Sequence, residues 1–164
     1  MLCGGLVVIC CVVACRKEKQ AVVGVAQTAV NAERKAQATA SERDQQRVQL
    51  ARIPLPTKGL YADVHDSSAW ANPFLTAGPD MLTLRVAADG KASTRRQETQ
   101  IRLEDLARTV ASIPPSAWHY GRVIVVAEAV HANPKDAQRS RRNVEAAIKQ
   151  LNDLGIVVAE WPTR

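Results

Sequence analysis

The sequence has no cysteine after Cys15, because all four of its cysteines lie within the first fifteen residues. A disulfide framework and a cysteine-based metal site are therefore excluded from the rest of the chain. Aromatic residues are also scarce, at 4% of 164 residues. The folded part behind the N-terminal region must then be stabilised by an aliphatic core, for which about 110 residues are sufficient.

Charge is missing from the beginning of the chain, since no acidic or basic side chain precedes Arg16. Residues 16–52 carry eight Lys and Arg against four Asp and Glu, whereas residues 53–164 are near balance with fourteen against twelve. A basic excess beside an apolar terminus is typical of membrane-surface contact or topology control rather than of nucleic-acid binding. We therefore expect the membrane, and no nucleic acid, among the partners.

The first segment, residues 1–15, contains an uninterrupted run of small or apolar residues, "LCGGLVVICCVVAC". As a helix this run covers about 21 Å, less than a hydrocarbon core of about 30 Å, but its length fits the apolar region of a cleaved signal. Its last four residues, "VVAC", resemble the bacterial lipobox, which implies cleavage before Cys15 and alkylation of its thiol with diacylglycerol. The alternative is an uncleaved inner-membrane anchor, which keeps the basic residues behind it, and the domain, in the cytoplasm.

The rest of the chain divides into three parts: residues 16–53, 54–80 and 81–164. The first has no proline and is rich in helix-forming polar residues, so we expect a solvated helical stalk. The second is a linker and wrapping segment that contains Trp70 and Phe74. Two interpretations of it stay open: it buries both side chains against the domain, or it is a docking peptide that exposes Trp70 to a partner.

The third part has the periodicities of short strands and helices. Apolar residues alternate with others over 82–86, which predicts a half-buried strand, and Asp89-Gly90 predicts a hairpin to a second, polar strand. Helical spacing over 102–114 and a capped start at Asn133 predict two helices, each followed by an apolar strand. The predicted fold is α/β (α+β), a small β-β-α-β-α-β two-layer sandwich preceded by a long N-terminal helix.

This order of elements, with "LEDL" before the first helix and "LGIVV" after the second, resembles the periplasmic domain of the ExbD/TolR family over about residues 81–161. That family consists of membrane-anchored, non-enzymatic partners of proton-driven motors, which dimerise and contact other envelope proteins. The resemblance therefore implies envelope protein partners and a homo-oligomer. The family's spanning helix carries an aspartate and residues 1–15 contain none, so no functional residue is carried over.

Basic residues crowd the first turns of the second predicted helix, where positive charge opposes the helix dipole. Lys135, Arg139 and Arg142 are the candidates for binding a partner carboxylate or a cell-wall anion, and Arg139 and Arg142 share a helix face. The alternative is a solvated face whose charge is offset by Asp136 and Glu145.

No catalytic residue, metal or cofactor is predicted. The "DVHD" sequence at 63–66 has too few ligands for a metal site, and Glu128 with His131 is an acid–base pair without a nucleophile. Ser140 is expected to have no base beside it. The sequence lacks a glycine-rich phosphate loop and a serine elbow.

We therefore expect no enzyme, but a membrane-tethered envelope protein in the periplasm or on the outer face of the envelope. Its domain binds other proteins as a structural or accessory subunit. The alternatives are a peptidoglycan-binding module and a motor accessory subunit of the ExbD/TolR type.

Overall fold

The structure, a computed structural model, describes residues 30–87 and 96–162. The predicted lipidation of Cys15 and the predicted Asp89-Gly90 hairpin turn lie outside these residues. Residues 30–50 form helix α1. The other α-helices and the strands of the described residues are β1 (Phe74–Ala77), β2 (Leu82–Ala87), β3 (Arg96–Ile101), α2 (Leu106–Ala111), β4 (Val123–Glu128), α3 (Pro134–Asp153) and β5 (Val157–Trp161).

The five strands form one mixed sheet in the order β3-β2-β1-β4-β5. The meander β1-β2-β3 is antiparallel, whereas β4 runs parallel to β1 and β5 parallel to β4. The predicted α+β fold is confirmed, but the prediction of four strands was wrong. The missed strand, β1, lies in the middle of the sheet, where both of its faces are buried and no alternation marks it.

The chain divides into two compact units, Met1–Glu42 and Arg43–Arg164. In the first unit, described residues 30–42 are all helical and exposed. In the second unit, the helix ends at Leu50, which is completely buried in the core together with Ile53. The end of the predicted stalk therefore contributes to the folded domain.

One face of the sheet, the helix-covered face, packs against α2, α3 and the end of α1. Strand alternation directs Leu84 and Val126 to this face, where Val144, Ala147 and Leu151 of α3 meet them. The helix start is as predicted, because the side-chain oxygen of Asn133 accepts a hydrogen bond of 2.9 Å from the backbone N–H of Lys135. Gly155, with φ of +75°, follows the helix in the left-handed conformation that glycine favours.

The other face, the wrapped face, carries Phe74, Val123 and Val125 and is covered by the wrapping segment, here residues 61–72. Trp70 is only 2% exposed and lies against the rings of Tyr120 and Trp161, with centroid distances of 5.1 and 5.5 Å. Trp70 and Phe74 are both buried, as the interpretation that this segment wraps the domain predicts. The docking-peptide interpretation, with Trp70 exposed to a partner, was wrong because the indole is inside the aromatic cluster.

None of the helices in residues 30–87 and 96–162 combines the length and apolarity that crossing a membrane requires.

Candidate functional site

The basic residues at the start of α3 are engaged by carboxylates from several elements. Arg139 forms ion pairs of 2.8 Å with Asp136, one turn away, and with Asp80, in the turn between β1 and β2. The hydrogen bond to Asp136, and then the charge of Asp80, raise the pKa of Arg139. Arg139 therefore stays charged, and its charge is already neutralised within the chain.

Arg141, next to this cluster, has a similar arrangement. Its guanidinium lies 2.5 Å from Glu160 of β5 and 3.2 Å from Glu145 on the next turn. The hydrogen bonds to Glu160 and Glu145 raise the pKa of Arg141. Only Lys135 and Arg142, among the basic residues of this helix start, have no ion pair with another described residue.

Ser140 and His131, which the sequence analysis did not connect, lie in contact in the structure. The hydroxyl oxygen of Ser140 lies 2.6 Å from Nε2 of His131, so the expectation that Ser140 has no base beside it was wrong. However, Ser140 lies within α3 and is completely buried. No carboxylate orients the imidazole in the part of the chain that the structure describes. This contact holds the loop between β4 and α3 against the helix. The buried hydroxyl of Ser140 is not accessible as a nucleophile.

A cavity of about 480 Å³ opens on the wrapped face. It lies beside the carboxyl ends of the parallel strands β1, β4 and β5, a common position for ligands in sheets with parallel strands. Its lining residues are His65, Asp66, Ser67, Phe74, Thr76, Arg85, Ala127, Glu128, Ala129, Val130, Trp161 and Pro162.

Arg85 of β2 is the cation in this cavity. Its guanidinium carbon lies 4.5 Å from the ring centroid of Phe74, the residue opposite it in the sheet register. Burial, and then the nearby charge of Arg96, lower the pKa of Arg85, whereas the charge of Glu98 raises it. Arg85 is partly buried and forms no hydrogen bond or ion pair with any described residue.

The wall of the cavity next to Arg85 is fixed by the guanidinium of Arg96. Arg96 donates hydrogen bonds to the backbone carbonyls of Ser67 at 2.6 Å, of Trp70 at 3.2 Å, and of Ser68. This anchors the wrapping segment to β3. The polar edge of the cavity is therefore held in place by the fold.

The acidic groups of the lining do not neutralise Arg85. Asp66 accepts hydrogen bonds from the backbone N–H and the hydroxyl of Ser68, at 2.8 and 2.5 Å. Glu128 is opposite Ala77 in the sheet register, and strand alternation puts this pair on the helix-covered side. Glu98, opposite Arg85 on β3, is exposed and forms no ion pair with it within residues 30–87 and 96–162.

The sequence prediction did not single out Arg85. The available signal was its place on the polar side of an amphipathic strand, which normally faces water.

Within the described ranges, no group of three or more histidine, cysteine, aspartate or glutamate side chains is arranged to hold a metal ion. Comparison of the chain with protein-family models, with curated proteins and with solved structures gave no match.

Proposed function

We propose that this chain is a membrane-tethered envelope protein whose α/β domain binds other proteins and catalyses no reaction itself. The observation that supports the proposal best is the surface of α1. Every one of its described residues is exposed except Gln46 and Leu50. A helix with so few buried residues gains little from packing, which supports the role of a solvated spacer rather than of a core helix.

In this proposal a lipid on Cys15, the last residue of the lipobox-like sequence, anchors the spacer to the membrane. The intact mass of the N-terminal peptide, from the full chain expressed in its own host, tests this. We expect a diacylated or triacylated peptide that begins at Cys15, and loss of the lipid in Cys15→Ser. Cys11→Ser is the matched control, since it removes a cysteine of the same segment outside the lipidation position. An unmodified peptide that begins at Met1 would contradict lipidation and favour the uncleaved anchor.

The choice of proteins rather than cell wall as ligand rests on the charges of α3. An anionic polymer is attracted by an unneutralised basic surface. Here Arg139 and Arg141 each contact two carboxylates. Their charge is therefore offset locally, which leaves Lys135 and Arg142 as the cations of this helix start that have no ion pair with a described residue.

Photo-crosslinking in the host tests protein binding. A photoreactive residue replaces Val157, which is 42% exposed on β5 of the domain, or Val30, which is 42% exposed on α1. We expect one discrete protein adduct from the domain position and none from the helix position. Equal labelling at both positions contradicts a specific partner on the domain. Retention of the unmutated chain on isolated peptidoglycan, abolished by Arg142→Ala, would replace this proposal with the wall-binding alternative.

A further inference from the structure

We propose that the cavity beside Arg85 binds a small organic anion, a carboxylate or phosphate with an apolar body. The oxyanion pairs with the guanidinium of Arg85, and the apolar body lies against Trp161 and Val130. This site is independent of the tether and of the protein partner proposed above.

The charge of Arg85 favours an anionic ligand. Removing a guanidinium from water is unfavourable unless an anion or hydrogen-bond acceptors replace the water. The other partly buried arginine of this region, Arg96, has three backbone carbonyls as acceptors. Arg85 has none among the described residues, and a bound oxyanion supplies them.

The side chain of Arg85 is already oriented. The ring of Phe74 holds the guanidinium by a cation–π contact at 4.5 Å. Among the described residues, no acceptor is hydrogen-bonded to the N–H donors of Arg85. Two N–H groups of a guanidinium match the two oxygens of a carboxylate or phosphate, and charge-assisted pairs of this kind are about twice as strong as neutral hydrogen bonds. A guanidinium that Phe74 positions, and that no acceptor in the described part of the chain engages, is therefore ready to bind an oxyanion.

The walls of the cavity combine polar and apolar groups. His65, Ser67 and Thr76 add polar groups to the lining, and strand alternation puts Thr76 on the same face as Phe74. The other walls are apolar, with Val130 72% exposed and the partly buried Trp161. A ligand with one charged end and one apolar end matches this division.

The size of the cavity suits a small organic molecule. A volume of about 480 Å³ is within the range of roughly 300 to 1,000 Å³ that small-molecule sites occupy. The space is too large for a bare anion to fill. An aromatic acid or an aryl phosphate is of suitable size.

Calorimetric titration of the full chain tests the site with three probes of equal body: benzoate, phenyl phosphate and neutral benzyl alcohol. We expect saturable one-to-one binding of at least one of the two anions, and affinity at least tenfold lower for benzyl alcohol. The anion that binds more tightly identifies the carboxylate or phosphate class. Equal affinity for the neutral probe, or no saturable binding of either anion, overturns the proposal.

Arg85→Met removes the charge but keeps an unbranched apolar stem over Phe74, so we expect a folded variant with at least tenfold weaker anion binding. Arg108→Gln is the matched control, because α2 carries Arg108 on the helix-covered side, away from the cavity. We expect Arg108→Gln to bind the anion with the same affinity as the unmutated chain. Anion binding that survives Arg85→Met undiminished overturns the assignment.

A spectroscopic readout locates the ligand independently of affinity. In the two-dimensional ¹H–¹⁵N NMR spectrum, the indole N–H signal of Trp161 should shift on titration, since this ring lines the cavity. The signal of Trp118, buried on the helix-covered side, should stay in place. A shift confined to Trp118 contradicts the site.

Discussion

Asn72 is a buried side chain that joins the wrapping segment to the beginning of β4, and its replacement by alanine should be costly. Only 2% of Asn72 is exposed. Its amide nitrogen donates to the carbonyls of Gly121 and Val123 at 2.7 and 2.8 Å, and its oxygen accepts from the N–H of Tyr120 at 2.7 Å. These three partners are therefore backbone groups of one distant segment, which ends with the first residue of β4.

The magnitude follows from what Asn72→Ala leaves behind. The N–H of Tyr120 and the carbonyl of Val123 lose the side chain of Asn72 at once. The carbonyl of Gly121 keeps one partner, because it also accepts a hydrogen bond of 2.7 Å from the backbone N–H of Val123. A buried polar group without a partner costs about 1 to 3 kcal/mol. For two such groups, with some relaxation of the loop, we expect a loss of about 2 to 4 kcal/mol in the free energy of unfolding.

Urea denaturation of the full chain, followed by tryptophan fluorescence, measures this loss. With a slope of about 2 kcal/mol per molar urea, the midpoint should fall by roughly 1.5 M. Asn143→Ala is the matched control, because Asn143 also donates to two carbonyls, those of Gly78 and Pro79, but is only partly buried. We expect a loss of about 1 kcal/mol there. Equal losses in the two variants would refute the argument that burial of the orphaned groups determines the cost.

Two further comparisons test other parts of the fold. Gly121→Ala should destabilise the chain by several kcal/mol more than Gly155→Ala in urea denaturation, although both glycines have positive φ, of 81° and 75°. A Cβ at Gly121 would lie 2.7 to 2.9 Å from the backbone of residues 54–56, whereas at Gly155 it meets nothing within 4 Å and only backbone strain of about 1 kcal/mol remains. Leu50→Ala should cost about 2 to 5 kcal/mol, because Leu50 is completely buried, whereas Val48→Ala, at a site that is 64% exposed, should change stability by less than about 0.5 kcal/mol. Equal melting temperatures for those two variants would mean that the end of α1 is not part of the core.

The parts of the fold that local patterns determine were predictable. The alternation of β2, the apolar run of β4 and the capped start of α3 each involve neighbouring residues only. β1 was not predictable in this way, because it has four residues and is buried from both sides. The helix predicted over 102–114 is shorter in the structure, with a 3-10 turn at Leu103–Asp105 before α2.

The candidate site depends on contacts between distant elements, and these have no local signal. Asp136 and Glu145 were predicted to offset the arginines of α3, but the contributions of Asp80 and Glu160 come from a β-turn and from β5. The same limit applies to Arg85. Its polar strand side becomes the wall of a cavity only because the wrapping segment returns across the sheet.

The place of β1 in the middle of the sheet also determines when the domain can fold. β1, β2 and β3 follow one another along the chain and form a local meander, but the other edge of β1 pairs with β4, whose Val125 is opposite Phe74. β5, next to β4, ends at Trp161 and closes the aromatic cluster around Trp70. Pairing of strands that are distant in sequence is slow, since the loop between them must be closed first. A chain emerging from a ribosome or a translocation channel thus keeps its aromatic face uncovered until the last strand has emerged, and a chaperone that binds apolar surface has its target during that interval.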